Sequence, residues 1–167
     1  KWGRYSIIGL PSDSSIKVKN DEIYLTINGK KEKKSATDPL KFIENYLKEN
    51  FYPENGELPI FSGGLVGFFG YETIRLIENK LSENSSNPKH EIEDINLLIS
   101  DKVMIFDNLE KTLEIVFFVD PAIANSYEKT FSEIEALIKE LESIETLEEI
   151  KMLEKKEINF ESNMNFE

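Results

Sequence analysis

The sequence predicts an α+β protein in which antiparallel sheets carry a few helices. Three observations lead to this prediction. The segment EIYLTI alternates apolar and polar residues from Glu22 to Ile27 and runs into Asn-Gly, which indicates a half-buried strand and a tight turn. Two apolar stretches, 95–107 and 112–120, predict a hairpin covered on both faces. Apolar residues then recur at helical spacing after two Asp-Pro pairs.

The helices are predicted from capping chemistry and from apolar spacing. At Asp38-Pro39 and again at Asp120-Pro121, the aspartate can cap free amides and the proline suits the first helical position. A further helix is predicted from about Tyr71 to Leu81. Four lysines after the Asn-Gly turn are interpreted as a solvated loop or strand edge, where lysine discourages aggregation: Lys30, Lys31, Lys33 and Lys34.

Composition excludes several classes of function. The 167 residues include 32 acidic and 20 basic side chains, a formal charge of −12, which argues against a nucleic acid or an anionic membrane as partner. With no cysteine and a single histidine, His90, the chain has little material for a zinc site or a Ser-His-Asp triad. The lack of cysteine fits a reducing compartment. The start KWGRYS resembles neither a signal peptide nor an initiator end, so we expect a piece of a longer protein.

The stretch FSGGLVGFFGYETIR, residues 61–75, raises the question of phosphate binding. It lacks the Gly-Lys-Ser/Thr of a P-loop and the Gly-x-Gly pair of a dinucleotide fingerprint. Alternation of large and small residues instead predicts a core strand buried on both sides, whose glycines let another backbone approach closely. Glycines of this structural motif are Gly63, Gly64, Gly67 and Gly70.

A polar face is predicted on the helix that follows. Tyr71, Arg75 and Glu78 lie at helical offsets, so one face carries a phenol, a guanidinium and a carboxylate. We interpret them as a helix pinned by an Arg75–Glu78 ion pair. The alternative is that Arg75 anchors this helix to a neighbouring domain.

Three stretches resemble the N-terminal region of anthranilate synthase component I and of its relative aminodeoxychorismate synthase component I. They are WGRYSIIG at 2–9, GGLVGFFGYETIR at 63–75 with Glu78 after it, and DKVMIFDN at 101–108. The third stretch favours the anthranilate enzyme. Two positions depart from the usual pattern: Glu72 stands where Asp is common, and Asn108 where His is common.

The resemblance implies chemistry that this chain does not perform alone. The family's large subunit converts chorismate and ammonia to anthranilate and pyruvate with Mg²⁺, and a glutamine amidotransferase subunit supplies the ammonia. Residues that bind chorismate and Mg²⁺ lie in a C-terminal catalytic domain. By this resemblance, residues 1–157 form a non-catalytic, regulatory N-terminal domain of a cytoplasmic enzyme, and residues 158–167 begin the linker to the catalytic domain. The fragment alone is expected to be inactive.

The resemblance also implies feedback inhibition by L-tryptophan. On this chain the candidates are Arg4, which could pair with a carboxylate, Tyr5, which could offer an aromatic wall, and Ser6. The alternative is that these residues merely begin the first strand. Two other functions stay open: aminodeoxychorismate synthesis, and a stand-alone small-molecule sensor or scaffold without catalytic activity.

Overall fold

The structure is a computed structural model that describes residues 3–35, 37–51, 61–78, 81 and 92–144. The chain divides into two compact units, Lys1–Phe131 and Ser132–Glu167, and every described strand lies in the first. Strands of the described residues are β1 Tyr5–Gly9, β2 Ser15–Lys19, β3 Glu22–Ile27, β4 Lys30–Lys34, β5 Gly64–Phe69, β6 Ile95–Ser100, β7 Lys102–Asp107 and β8 Thr112–Phe117. Helices are α1 Pro39–Asn50, a 3₁₀ helix Tyr71–Leu76, and α2 Ser126–Glu142. The predicted α+β class is confirmed.

The strands form two antiparallel sheets. One has five strands in the order β4-β3-β2-β6-β5, and the other has three in the order β1-β7-β8. The apolar stretch 95–107, predicted as one strand, is therefore two strands in different sheets, interrupted at Asp101. The predicted hairpin is confirmed for β7 and β8, with Asp107 opposite Thr112. The prediction that both strands of the hairpin are covered on both faces is correct for β7 only, because every residue of β8 is exposed or half-buried.

The main core lies between α1 and one face of the five-stranded sheet. Period-two alternation places the apolar residues of β2 and β3 on that face, as the sequence predicts, and puts lysines and Tyr24 on the other. Each buried large aliphatic side chain contributes roughly 1.5–3 kcal/mol to folding. Buried members of this core are Ile16, Val18, Ile23, Leu25, Ile43, Ile95, Leu97 and Ile99.

The helix at Asp38-Pro39 begins as predicted. Asp38 Oδ1 accepts a hydrogen bond from the Lys41 amide at 2.9 Å, and Pro39 is the first helical residue. Proline loses nothing there, because the amide of the first turn has no partner within the helix.

At Asp120-Pro121 the predicted helix start is wrong. The Asp120 carboxylate accepts from the Ala122 amide at 2.8 Å, and its carbonyl accepts from the Ser126 hydroxyl at 2.8 Å. The pair thus closes a turn, and α2 begins only at Ser126. The same capping chemistry serves a turn as readily as a helix.

The helix predicted over Tyr71–Leu81 begins as a 3₁₀ helix, Tyr71–Leu76. Leu81 is also helical, and residues 79–80 between them lie outside the described residues. Some expectations lie outside the described residues: those for His90 and for the linker at residues 158–167.

Candidate functional site

The glycines of β5 allow its backbone to lie very close to that of β6. A Cβ added at Gly67 would lie 1.9 Å from the carbonyl oxygen of Asn96, a distance that no side chain tolerates. At the end of the strand, the Gly70 amide donates to the Asp94 carbonyl at 2.7 Å, and a Cβ there would lie 3.0 Å from that oxygen. The predicted close approach of another backbone is confirmed, and the backbone is that of the neighbouring strand.

Two further glycines shape the entry into β5. Gly63 and Gly64 have φ values of +151° and +139°, which residues with a Cβ rarely adopt. A Cβ at Gly63 would also lie 2.8 Å from the Ser100 carbonyl oxygen and 3.0 Å from the Phe118 ring. Gly63 therefore lies where β6 ends and where the chain leaves β8. Glycine is required here by backbone conformation and by space together.

The prediction that this strand is buried on both sides is wrong. Within the described residues β5 is the last strand of its sheet. Val66 and Phe68 are 47% and 44% exposed, and Leu98, which lies opposite Val66, is 53% exposed. We call these three residues the outer apolar patch. It occupies the sheet face opposite α1, so the sheet offers water an apolar surface beside its glycine-rich strand.

A second cluster joins the start of β1 to the end of β7. Asp107 is only 6% exposed, and its Oδ2 accepts from Arg4 Nε at 2.9 Å and from a terminal guanidinium nitrogen at 2.7 Å. Asp107 Oδ1 accepts from the amides of Leu109 and Glu110 at 2.9 and 3.1 Å. The hydrogen bond from Arg4 lowers the pKa of Asp107 from 3.8 to about 2. Desolvation acts in the opposite direction, and the hydrogen bonds from the two amides add to the effect of Arg4.

The same cluster includes the other two residues proposed for tryptophan binding. The Arg4 guanidinium lies 5.0 Å from the centre of the Tyr5 ring. Ser6 Oγ accepts from Asn108 Nδ2 at 3.1 Å, and the Asn108 amide donates to the Arg4 carbonyl at 2.7 Å. The three candidate residues are therefore adjacent, and hydrogen bonds join Arg4 and Ser6 to β7 or to the turn that follows it. These bonds bring together two of the three stretches that carry the resemblance, 2–9 and 101–108.

The polar face predicted after β5 is arranged differently from the expectation. Arg75 forms its ion pair with Glu72, so the predicted Arg75–Glu78 pair is wrong. Tyr71 is 91% exposed. The sequence reasoning missed Thr73, which is buried and whose hydroxyl donates to the Asp94 carbonyl at 3.1 Å, tying the 3₁₀ helix to the start of β6.

Among the described residues, no group of three or more His, Cys, Asp or Glu side chains could hold a metal ion. Within the same residues no helix is long and apolar enough to cross a membrane. What they present is a paired polar cluster at Arg4 and Asp107 and the exposed outer apolar patch.

Similarity to known proteins decides the family. A protein named anthranilate synthase component 1 from Pseudomonas aeruginosa is 37% identical over 142 residues, which are 84% of this chain. Proteins of the same name from Neisseria meningitidis and Aquifex aeolicus are each 34% identical, over 81% and 84% of the chain. Over that segment, this chain is a relative of anthranilate synthase component 1. The resemblance seen in the motifs is confirmed.

The relationship covers only a part of these relatives. The chain spans 28–29% of their length. A crystal structure of anthranilate synthase component I from Streptococcus pneumoniae matches with a TM-score of 0.63 and 24% identity, over 84% of this chain and 30% of that one. This match supports the same fold for the aligned segment. No family model matches the chain.

Proposed function

We propose that this chain is the N-terminal, non-catalytic part of an anthranilate synthase component I. The longer protein, called here the parent, converts chorismate and ammonia to anthranilate and pyruvate in tryptophan biosynthesis in the cytoplasm. The observation that carries the proposal is an identity of 31–37% to proteins of that name over more than four fifths of the chain. Because the chain spans under a third of those relatives, the activity belongs to the parent.

A structural role for this part follows from its surface. Val66, Phe68 and Leu98 expose apolar area on an ordered sheet face, which costs free energy in water and favours contact with another protein layer. We propose that residues 1–157 form a domain that the rest of the parent packs against, with residues 158–167 leading into the catalytic domain.

The reacting groups are assigned to the rest of the parent. The described residues offer no cluster of carboxylates that fits Mg²⁺, so no step of the reaction is assigned to them. We propose that Mg²⁺ and chorismate bind in the catalytic domain and that a glutamine amidotransferase subunit delivers ammonia to the parent. This chain then supports the catalytic domain without contributing a catalytic residue.

We also propose that the parent binds L-tryptophan next to β1, with Arg4, Tyr5 and Ser6 on this chain's side. In support, the Arg4 side chain is half-exposed and lies over the Tyr5 ring, which gives a cation beside an aromatic surface. A ligand carboxylate would share Arg4 with Asp107, which already accepts two hydrogen bonds from it.

The proposed activity is tested by purifying the parent and measuring product from chorismate, ammonia and Mg²⁺. We expect anthranilate from the parent and none from the 167-residue chain alone. Aminodeoxychorismate as the product would move the protein to the folate pathway. Anthranilate from the chain alone would contradict its non-catalytic role, and a gene encoding no catalytic part would favour a stand-alone scaffold.

The tryptophan proposal is tested by inhibition of the parent. Tyr5→Leu and Arg4→Lys should each raise the tryptophan concentration for half-inhibition by at least about tenfold, because one removes the aromatic wall and the other the forked donor. Glu49→Ala, an exposed change on α1, is the control and should leave inhibition unchanged. Wild-type inhibition of both β1 variants would refute the proposal.

A further inference from the structure

The two edges of the five-stranded sheet differ in chemistry. β4, at one edge, is KKEKK, and its lysines discourage the addition of another strand. β5, at the other edge, is GLVGFF, and no charged residue occurs from Phe61 to Tyr71. An uncharged apolar edge of six residues is a template for a further strand unless something covers it.

The direction of the β5 amides follows from one hydrogen bond. Gly70 donates its amide to Asp94 across the continuation of the β5–β6 register. In an antiparallel ladder, bonded and non-bonded residues alternate, so Val66 and Phe68 direct their amides to β6. Leu65, Gly67 and Phe69 then direct theirs to the open edge. No strand among the described residues pairs with β5 on that side.

We propose that the open edge of β5 is a strand-addition site, and that its occupant is an extended, apolar segment of the parent lying outside residues 1–167. This inference rests on the proposed function. The chain spans 28–30% of the relatives and of the solved structure that it matches, so most of the parent is available to supply the segment. Main-chain hydrogen bonds from the outward amides give the contact its register, and Val66 and Phe68 offer apolar contacts beside it.

Residue-resolved hydrogen exchange tests the proposal, with the parent and the 167-residue chain compared at the same low concentration. The amides of Leu65, Gly67 and Phe69 should exchange rapidly in the chain and at least about tenfold more slowly in the parent. Those of Val66 and Phe68, bonded to β6, are the internal control and should be slow in both.

Rapid exchange of the outward amides in the parent would overturn the proposal. Slow exchange already in the chain would also overturn it, because residues of the chain itself or a second copy would then be the occupant. A gene that encodes nothing outside residues 1–167 would overturn the proposal as well, because it removes the named occupant. Assaying anthranilate formation on the same parent sample separates the two claims. Slow exchange of the outward amides without anthranilate formation would contradict only the proposed activity. Anthranilate formation with rapid exchange of those amides would contradict only the strand addition.

Discussion

At one edge of the five-stranded sheet β4 carries four lysines in five residues, whereas at the other edge β5 carries none and exposes Val66, Phe68 and Phe69. The lysines of β4 take part in local pairs: Lys33 with Glu22, and Lys34 with Glu32. Among the residues that the structure describes, no charged side chain protects β5 in this way. One edge is built to remain in water, and the other has the composition of a surface that is covered in use.

The difference indicates which side of the five-stranded sheet would contact the rest of the proposed parent. The sheet's inner face is completed by α1, and β1 and β7 are locked to each other through Arg4 and Asp107. β1 is an edge strand too, and its Ile7 and Ile8 are 41% and 46% exposed. What distinguishes the β5 side is the outer apolar patch, which joins β5 to the neighbouring β6, so under the proposal made above the partner layer of the parent lies there.

The largest effect is expected from Gly67→Ala, which asks whether β5 is held by β6. The added Cβ would overlap a backbone carbonyl that cannot move aside, so we expect a loss of about 3 kcal/mol or more in the free energy of unfolding, measured by urea denaturation. Gly29→Ala, in open space but at φ +76°, is the control and should cost about 1 kcal/mol. Equal losses would show that the β5–β6 approach is not tight.

The next largest effect is expected at Asp107, which tests whether the β1–β7 region is locked internally. The folded-state pKa of about 2 lies below the ordinary 3.8, so the carboxylate stabilises the fold above pH 3.8 and this contribution is lost as pH falls toward 2. Asp107→Asn should lower the urea midpoint at neutral pH and flatten its fall in that acidic range.

Glu44→Gln is the matched control for Asp107. Its pKa is also lowered to about 2, through Lys41 and Lys48, but the group is exposed on α1 and screened by water. The change in midpoint should therefore be clearly smaller than for Asp107→Asn. The reverse order would contradict the assignment of Arg4 and Asp107 as the lock.

A smaller effect is expected from Asp38→Ala, which weakens the helix covering the sheet's inner face. Loss of the cap on α1 should cost about 1 kcal/mol in thermal or urea unfolding. Asp120→Ala removes the hydrogen bond from the Ala122 amide, which closes a turn and does not cap a helix, so the loss of unfolding free energy should be smaller. An equal cost would mean that the turn at Asp120 contributes to folding as much as a cap does.

The smallest effects on stability are expected at the two edges, where association should change instead. Phe68→Lys should alter the free energy of unfolding by no more than about 0.5 kcal/mol and reduce light scattering at high protein concentration. Lys31→Val, on β4, should increase light scattering. If neither substitution changed the scattering, the proposed contrast between the two edges would be wrong.

Local patterns predicted much of this fold. Alternation in β2 and β3, the Asn-Gly turn and the Asp38 cap depend on neighbours in sequence, so they could be read directly. The break at Asp101 could not, because continuous apolarity does not show where a chain changes sheets. Nor could the partner of Arg4, since Asp107 is 103 residues away and only the β1–β7 register brings it near.

The glycine segment shows the same division between local and long-range information. Its composition predicted a close backbone approach, which Gly67 confirms. That β5 is an edge strand depends on the order of strands in the sheet, and short-range spacing carries no information about that order. For the same reason the outer apolar patch was missed.

The most direct test of the account is binding in trans, by sedimentation velocity, of this chain to the remainder of the parent produced separately. We expect a one-to-one complex that Val66→Lys or Phe68→Lys weakens by at least about tenfold and that Lys31→Ala leaves unchanged. The absence of a complex, or one that is weakened only by the β4 substitution, would contradict the claim that β5 is the side built for contact.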